Sequence, residues 1–253
     1  MIVLVTGATD GHGQAVARDL AESGHTVLVH GRDPNKLADQ EHAARTYRAD
    51  FASLEEVEAM ADELLEREEH IDVLVNNAGI GTTLPGDGRR MESRDGYELR
   101  FAVNYLAPFA LTERLLPRIA QRIVNVSSAG QMPIDFSDVM LERTYDPTRA
   151  YCQSKLAQVM HTFDLAETLD GVTANCLHPA TYMPTKMVLH ARGNAVSSLE
   201  EGAQATERLA VDPALDGVSG RYFNGRREAR AEGQAYDAGA RRRLRELSLR
   251  LTA

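Results

Sequence analysis

The chain is short of several things, and each shortage excludes a class of protein. It has only two cysteines, Cys152 and Cys176, with no C-x-x-C spacing. A disulfide framework and a paired-thiol metal or redox motif are therefore excluded, no metal site is expected, and a reducing cytoplasm is the expected location. No apolar run approaches the roughly 18 residues of a membrane span. Basic residues are in deficit, 28 against 37 acidic, for a net charge of −9. A general nucleic-acid binder needs the opposite balance to displace counterions from phosphates. Met1 leads straight into Ile2-Val3-Leu4-Val5 without a basic segment or a small-residue cleavage site, so no secretory leader is expected. Repeats, low-complexity tracts and linkers are also lacking. With 43% hydrophobic and 26% charged residues, the composition is that of an ordinary globular chain rather than a disordered one.

What is present is an alternation. Short apolar runs at 2–5, 26–29, 71–75, 122–126 and 172–176 read as strands, with a late strand near 221–223 and a weak one near 46–49. Amphipathic stretches at 11–23, 34–44, 53–68, 96–120, 148–169 and 234–251 read as helices. Continuous apolar runs suit strands covered on both faces, and their alternation with helices predicts a parallel sheet with right-handed crossovers. The expectation is a single domain over 1–253: a doubly wound (Rossmann) α/β fold with about seven strands. Asp50-Phe51-Ala52-Ser53 reads as a helix start, with Ser53 as N-cap and Glu56 three residues on. The stretches 79–96 and 129–147 read as surface loops, and Arg241-Arg242-Arg243 as a solvated helix face.

Between the first strand and first helix stands Thr6-Gly7-Ala8-Thr9-Asp10-Gly11-His12-Gly13. Glycines there let the backbone approach a pyrophosphate, and a helix N-terminus supplies N–H groups and positive potential. The spacing Gly-x-x-x-Gly-x-Gly lacks the Gly-Lys-Ser/Thr of a phosphate-cleaving P-loop.

Further patterns follow in order: Asn76-Asn77-Ala78-Gly79, Asn104 within Phe101-Ala102-Val103-Asn104-Tyr105, Ser127-Ser128, Tyr151-Cys152-Gln153-Ser154-Lys155, and His178-Pro179. Together with the glycine loop they resemble the short-chain dehydrogenase/reductase family over nearly the whole chain. Tyr151 follows Ser128 by 23 residues. That long spacer, with the segment 97–117 and Gln234-Ala235-Tyr236-Asp237, resembles the branch holding retinol dehydrogenases, the WW-domain oxidoreductase and light-dependent protochlorophyllide reductase. One departure is Ala180 after Pro179, where the family usually has glycine.

The resemblance implies cofactor contacts from Thr6, Gly7, Thr9, Asp10, Gly11, His12 and Gly13 in the loop. It places Asp50 near the adenine amino group, followed by Phe51, with Asn77, Ala78 and Gly79 beside the ribose. Pro179, Thr181 and Thr185 stand over the nicotinamide, Thr185 at its carboxamide. A lid is expected around 180–205, its inner surface made by Tyr182, Met183, Met187 and Leu189. At the end of the second strand, Gly31 stands where an NAD-type acid would, and Arg32 offers a guanidinium to a 2′-phosphate. Asp33, before Pro34, reads as a helix cap, although a one-residue shift would make it the ribose ligand. This favours NADP(H) over NAD(H).

Tyr151 and Lys155 are four apart on a predicted helix and share a face. An ammonium close to a phenol lowers its pKa toward working pH, which suits a general acid/base for a carbonyl oxygen. The resemblance gives Tyr151 that role and sets Lys155 on the cofactor ribose as well. It places Ser128 on the substrate oxygen, with Ser127 supporting it, and Asn104 on a water next to Lys155. The expected function is NADP(H)-dependent interconversion of a carbonyl and an alcohol on an apolar small molecule. The alternatives are a non-catalytic dinucleotide sensor on the same fold and a nucleotide-sugar epimerase. Helices 96–120 and 148–169 could form a homodimer face, as in relatives.

Overall fold

The β-branched run at the N-terminus becomes the centre of the sheet. A computed structural model describes residues 1–253. Its strands are β1 (Ile2–Val5), β2 (Thr26–Gly31), β3 (Arg45–Arg48), β4 (Ile71–Asn76), β5 (Ile119–Val126), β6 (Thr173–His178), β7 (Arg221–Asn224) and β8 (Arg227–Ala229). They lie in the order β3-β2-β1-β4-β5-β6-β7-β8. All neighbours are parallel except β7 and β8. The strand order reverses beside β1, so the carboxyl ends of β1 and β4 face a crevice, the usual ligand position in such folds.

Strand alternation divides the core. Val3, Val5, Val27, Val29, Val73 and Val75 point to one face, where α1 (Gly11–Glu22) and α8 (Leu199–Val211) supply Val16, Leu20, Ala203 and Leu209. Leu4, Leu28 and Leu74 point to the other, against Val57, Met60 and Leu64 of α3 (Leu54–Arg67) and Leu111 of α5 (Ala107–Leu115). This is the two-face burial that continuous apolar strands require.

Several elements differ from expectation. The sheet has eight strands; β8 returns antiparallel from β7 through a two-residue turn after Asn224. The turn is Gly225-Arg226, with Gly225 at φ +58, and the run after it, Arg227-Glu228-Ala229, is too polar to read as a strand. α2 (Pro34–Ala38) stops early, where the Gln40 side chain turns back to donate to the Lys36 carbonyl at 2.7 Å. The expected helix 96–120 is α4 (Leu99–Phe101), a π turn (Ala102–Leu106), α5 and a 3₁₀ turn (Leu116–Arg118), with β5 already begun at Ile119. At the third helix, Ser53 does cap Glu56, but the Glu56 carboxylate accepts from the Asp50 N–H at 2.9 Å instead of from Ser53.

The face of α5 and of α6 (Pro147–Thr168) is covered by the last helix, α9 (Ala238–Leu251). Tyr105 Oη and Ser248 Oγ are 2.7 Å apart. Arg245 grips Glu113 at 2.9 and 3.1 Å. Leu244 is 1% exposed within the cluster that holds Phe109, Met160 and Phe163. The expected homodimer face is therefore occupied by the chain itself. Arg241, expected on a solvated face, is buried and pairs with Glu167 while donating to the Ala235 carbonyl. Leu244→Ala should cost about 2–4 kcal/mol, the usual range for a buried leucine, and denaturant unfolding should show it. A loss below about 0.5 kcal/mol would mean that α9 is not part of the cooperative core.

Candidate active site

The glycine loop is built by side chains that the loop itself consumes. Thr6 Oγ1 accepts from the backbone N–H groups of Asn77 and Ala78 at 2.9 and 3.0 Å, which ties the end of β1 to the end of β4. Asn77 Nδ2 donates to the carbonyls of Thr6 and Gly7 at 2.8 and 3.1 Å. Gly7 has φ +62 and lies so close to Ala78 that a Cβ would be 2.7 Å from its Cα. At Gly13 a Cβ would be 2.2 Å from Asn77 Nδ2 and 2.4 Å from the Gly7 oxygen. Neither place admits a side chain.

Three side chains expected at the cofactor bond inside the protein. The Thr6 hydroxyl and the Asn77 amide are spent inside the protein. His12 is buried, with Nδ1 2.9 Å from Asn77 Oδ1 and Nε2 3.1 Å from Thr206 Oγ1 on α8. Burial holds its pKa below the usual histidine value despite the Asn77 bond, so it is a neutral bridge and no cationic contact. What remains for a ligand is backbone. Asp10 occupies the N-cap of α1 in extended conformation, yet its carboxylate caps nothing. The first-turn N–H groups of a twelve-residue helix are thus left to an anion. That donor set fits the diphosphate of a dinucleotide.

The end of β2 suits the adenosine side. Thr9 fills the space beneath Gly31, where a Cβ would lie 2.4 Å from Thr9 Cγ2. An acid at Gly31 has no room without moving Thr9. Asp33 accepts from the N–H groups of Asn35 and Lys36 at 3.0 and 3.5 Å, capping α2. The Arg32 side chain is exposed. Lys36, which the sequence reading passed over, reaches back from α2 to Asp10 at 2.7 Å. Asp50 makes a local turn through Oδ1 to the Ala52 N–H at 3.0 Å. Phe51 is buried and stacked on His30 at 4.3 Å, so it supports the pocket wall from behind.

The catalytic candidates converge. A Cβ on Gly130 would lie 3.5 Å from Ser128 Oγ and 3.8 Å from Tyr151 Cε1, so hydroxyl and phenol ring flank one point. A Cβ on Gly79 would lie 3.2 Å from Asn104 Oδ1 and 3.5 Å from Lys155 Nζ. Lys155 is 5% exposed. Its ammonium donates to the Val126 carbonyl at 2.9 Å and to Gln158 Oε1 at 2.8 Å, and burial lowers its pKa to about 7. Nζ stands 6.0 Å from the Tyr151 ring centre. The phenol pKa is therefore not lowered here, as the i,i+4 spacing led us to expect. Burial raises it, and the Ser128 hydroxyl only partly offsets that. Tyr151 is a protonated phenol at neutral pH.

Asn104 lies in the π turn, so the helix does interrupt its regular bonding there. Its amide accepts from the Ile80 N–H at 2.7 Å and donates to the Ile80 carbonyl at 3.1 Å and Ser154 Oγ at 3.0 Å. It anchors the chain after β4. Ser127 donates to the Lys155 carbonyl at 2.8 Å. The Ser128 carbonyl is held by Gln131 and Tyr222 at 2.8 and 3.1 Å. Arg100, fully buried, donates to the carbonyls of Gly81 and Thr82 at 2.8 and 2.7 Å and to Tyr145 at 2.6 Å, fixing the loop that borders the site. Nothing in the pattern around Gln131, Tyr222 or Arg100 marked them beforehand.

Of the stretch 180–205 expected as a lid, the part from Leu199 belongs to α8, which packs in the core. The segment folds on itself: the Val196 N–H donates to the Tyr182 carbonyl at 2.9 Å, and Ser197 Oγ to the Thr181 carbonyl at 2.7 Å. The Thr181 hydroxyl pairs with His178 at 3.1 Å, and Pro179 is buried. Thr185 caps α7 (Lys186–Arg192), and its methyl faces Gly11, at the phosphate loop. Met183 packs on Gly202 and Met187 on Gly81. Tyr182 and Leu189 face outward, 42% and 44% exposed, so only two of the four expected apolar residues line the inside.

A glycine-rich βα turn at the switch point of a parallel sheet, beside a half-buried tyrosine with a buried lysine and serine, defines a dinucleotide-dependent oxidoreductase. The short chain dehydrogenase family model matches residues 1–194, and the chain belongs to that family. It is 36% identical to retinol dehydrogenase 13 of Mus musculus, over 98% of this chain and 83% of that one. It is 34% identical to the polyprenol dehydrogenase of Mus musculus, over 99% and 83%. A solved structure from Mycobacterium paratuberculosis superposes with a TM-score of 0.80 at 30% identity, covering 99% of this chain and 92% of that one. The chain is an NAD(P)-dependent alcohol/carbonyl oxidoreductase of the retinol dehydrogenase branch. No helix is long and apolar enough to cross a membrane.

The close approach at Gly13 gives a direct check. Gly13→Ala should displace the loop, lower the melting temperature and abolish dinucleotide binding in calorimetry. Unchanged binding would show that the loop does not form the anion site.

Proposed function

We propose that the protein is an NADP(H)-dependent reductase/dehydrogenase for an apolar carbonyl or alcohol. The observation that carries this reading is the convergence of Ser128 Oγ and Tyr151 on one point next to Gly130, with Lys155 Nζ and Asn104 around Gly79. A substrate oxygen placed between the Ser128 and Tyr151 hydroxyls, which are themselves near enough to interact, would accept hydrogen bonds from both. Bound nicotinamide supplies or takes the hydride. Tyr151, protonated at neutral pH, gives its proton to the carbonyl oxygen as negative charge develops there, and Ser128 holds that oxygen in line. Lys155 Nζ, 6.0 Å from the phenol ring centre, would hold the cofactor ribose. The phosphate-loop backbone, Ala78 and Gly79 would hold the cofactor; Arg32, with Lys36 near, would take the 2′-phosphate.

An apolar substrate is supported by Met187, packed on Gly81 two residues after Gly79, and by relatives named for retinol and polyprenol. Pairing of two chains through α5 and α6 is no part of this reading, because α9 covers both helices.

Two variants test it. Tyr151→Phe should keep the fold and NADPH affinity while turnover of an aldehyde such as retinal falls at least a hundredfold; near-normal turnover would remove Tyr151 from the chemistry. Arg32→Ala should weaken NADPH about tenfold and leave NADH unchanged. Equal losses for both cofactors, or a wild type that prefers NADH, would overturn the NADP(H) assignment.

A further inference from the structure

The lid helix α7 has seven residues, and none of them is buried. A helix that short, with Met187 against Gly81 as its apolar contact, is held only weakly by its own stability or by burial. Yet it lies closed on the phosphate loop, and its first residue is joined to that loop by a polar contact. Lys186 Nζ is 2.5 Å from Asp10 Oδ2, and Lys36 Nζ is 2.7 Å from the same oxygen. One carboxylate oxygen thus joins three separate elements: the N-cap of α1, the first turn of α2 and the first residue of the lid helix. The two ammonium groups hold Asp10 at a pKa of about 2, so it stays ionised at any physiological pH. Asp10 caps nothing on its own helix, which leaves this bridge as its use.

We propose that Asp10 is the latch of the lid, with Lys186 as its movable half, and that Lys36 links the latch to the adenosine side of the cofactor. The inference rests on the dinucleotide reading of the site. The two ammonium groups share one oxygen and repel each other across it. A phosphate arriving near Arg32 and Lys36 offers Lys36 a second anion and leaves Asp10 to Lys186, so a phosphate on the adenosine ribose tightens the lid at the other end of the loop. Lys186 is a positioning residue: it holds the lid and touches no reacting atom.

Two measurements on the full chain test this. Without nucleotide, limited trypsin digestion followed at Arg192 reports lid opening. Lys186→Met and Asp10→Asn should each raise that cleavage several-fold, the double variant no further, and 0.5 M salt should bring wild type to the same rate, since exposed pairs are screened. With NADPH, stopped-flow release should quicken several-fold in Lys186→Met, and by a smaller factor for NADH. Wild-type cleavage and release rates in Lys186→Met would overturn the latch, as would additive effects in the double variant. A protein that binds no dinucleotide but still shows the cleavage pattern would overturn the functional reading and keep the latch.

Discussion

Lys155 is an ammonium placed where water does not reach, and its partners are a backbone carbonyl and a neutral amide. Val126 O and Gln158 Oε1 accept hydrogen bonds from it, while Gln158 Nε2 is left buried without a partner. Burying a charge with no opposite charge is costly, and the group responds by shifting its pKa to about 7. Between about pH 7 and the ordinary lysine value the folded chain therefore binds one proton fewer than the unfolded chain. The contribution of this group to stability rises with pH across that window, and at neutral pH Lys155 weakens the fold. A fold that carries such a cost at the mouth of its own crevice is one shaped by a site.

The rest of the site can be understood as what holds Lys155 and Tyr151 still. The π turn puts Asn104 on the Ile80 backbone and on Ser154, which is part of the same helix as Tyr151 and Lys155. Arg100 fixes the next two carbonyls along that loop. Ser128 is steadied through Gln131 and Tyr222, and Gln131 in turn accepts from the Glu232 N–H at 2.9 Å. The long spacer after Ser128 is thus packed structure: Ile134 exchanges hydrogen bonds with the Gln234 side chain at 2.7 and 3.3 Å. The C-terminal region braces the catalytic loop and also closes the α5–α6 face.

Most of the fold was legible because its signals are local and period-specific. Apolar runs at 2–5 and 71–75 can be buried only between two layers, and the Gly7–Gly13 spacing suits an anion turn only between a strand and a helix. Motif order then named the family. What was not legible depends on distant partners. His12, Thr6 and Asn77 look like ligands in the sequence, because nothing local says that they bond to one another across about 70 positions. Tyr151 and Lys155 were correctly set on one helix face, but spacing does not show that the ammonium turns toward Val126. Arg241 reads as solvated until Glu167, far away in sequence, is placed beside it. Asp10 and Lys186 are 176 positions apart, and neither has a motif to mark the pairing.

The central claim is that a buried, unpaired Lys155 sets the electrostatics of this site, and its own titration tests that. Lysine labelled with ¹³C at Cε, assigned with Lys155→Met, can be followed by NMR against pH in the free protein and with NADP⁺ bound. The expected midpoint is about 7 in the free protein, moving upward when the dinucleotide brings negative charge to the crevice. A midpoint near the ordinary lysine value of about 10.4, the same with and without NADP⁺, would contradict the account.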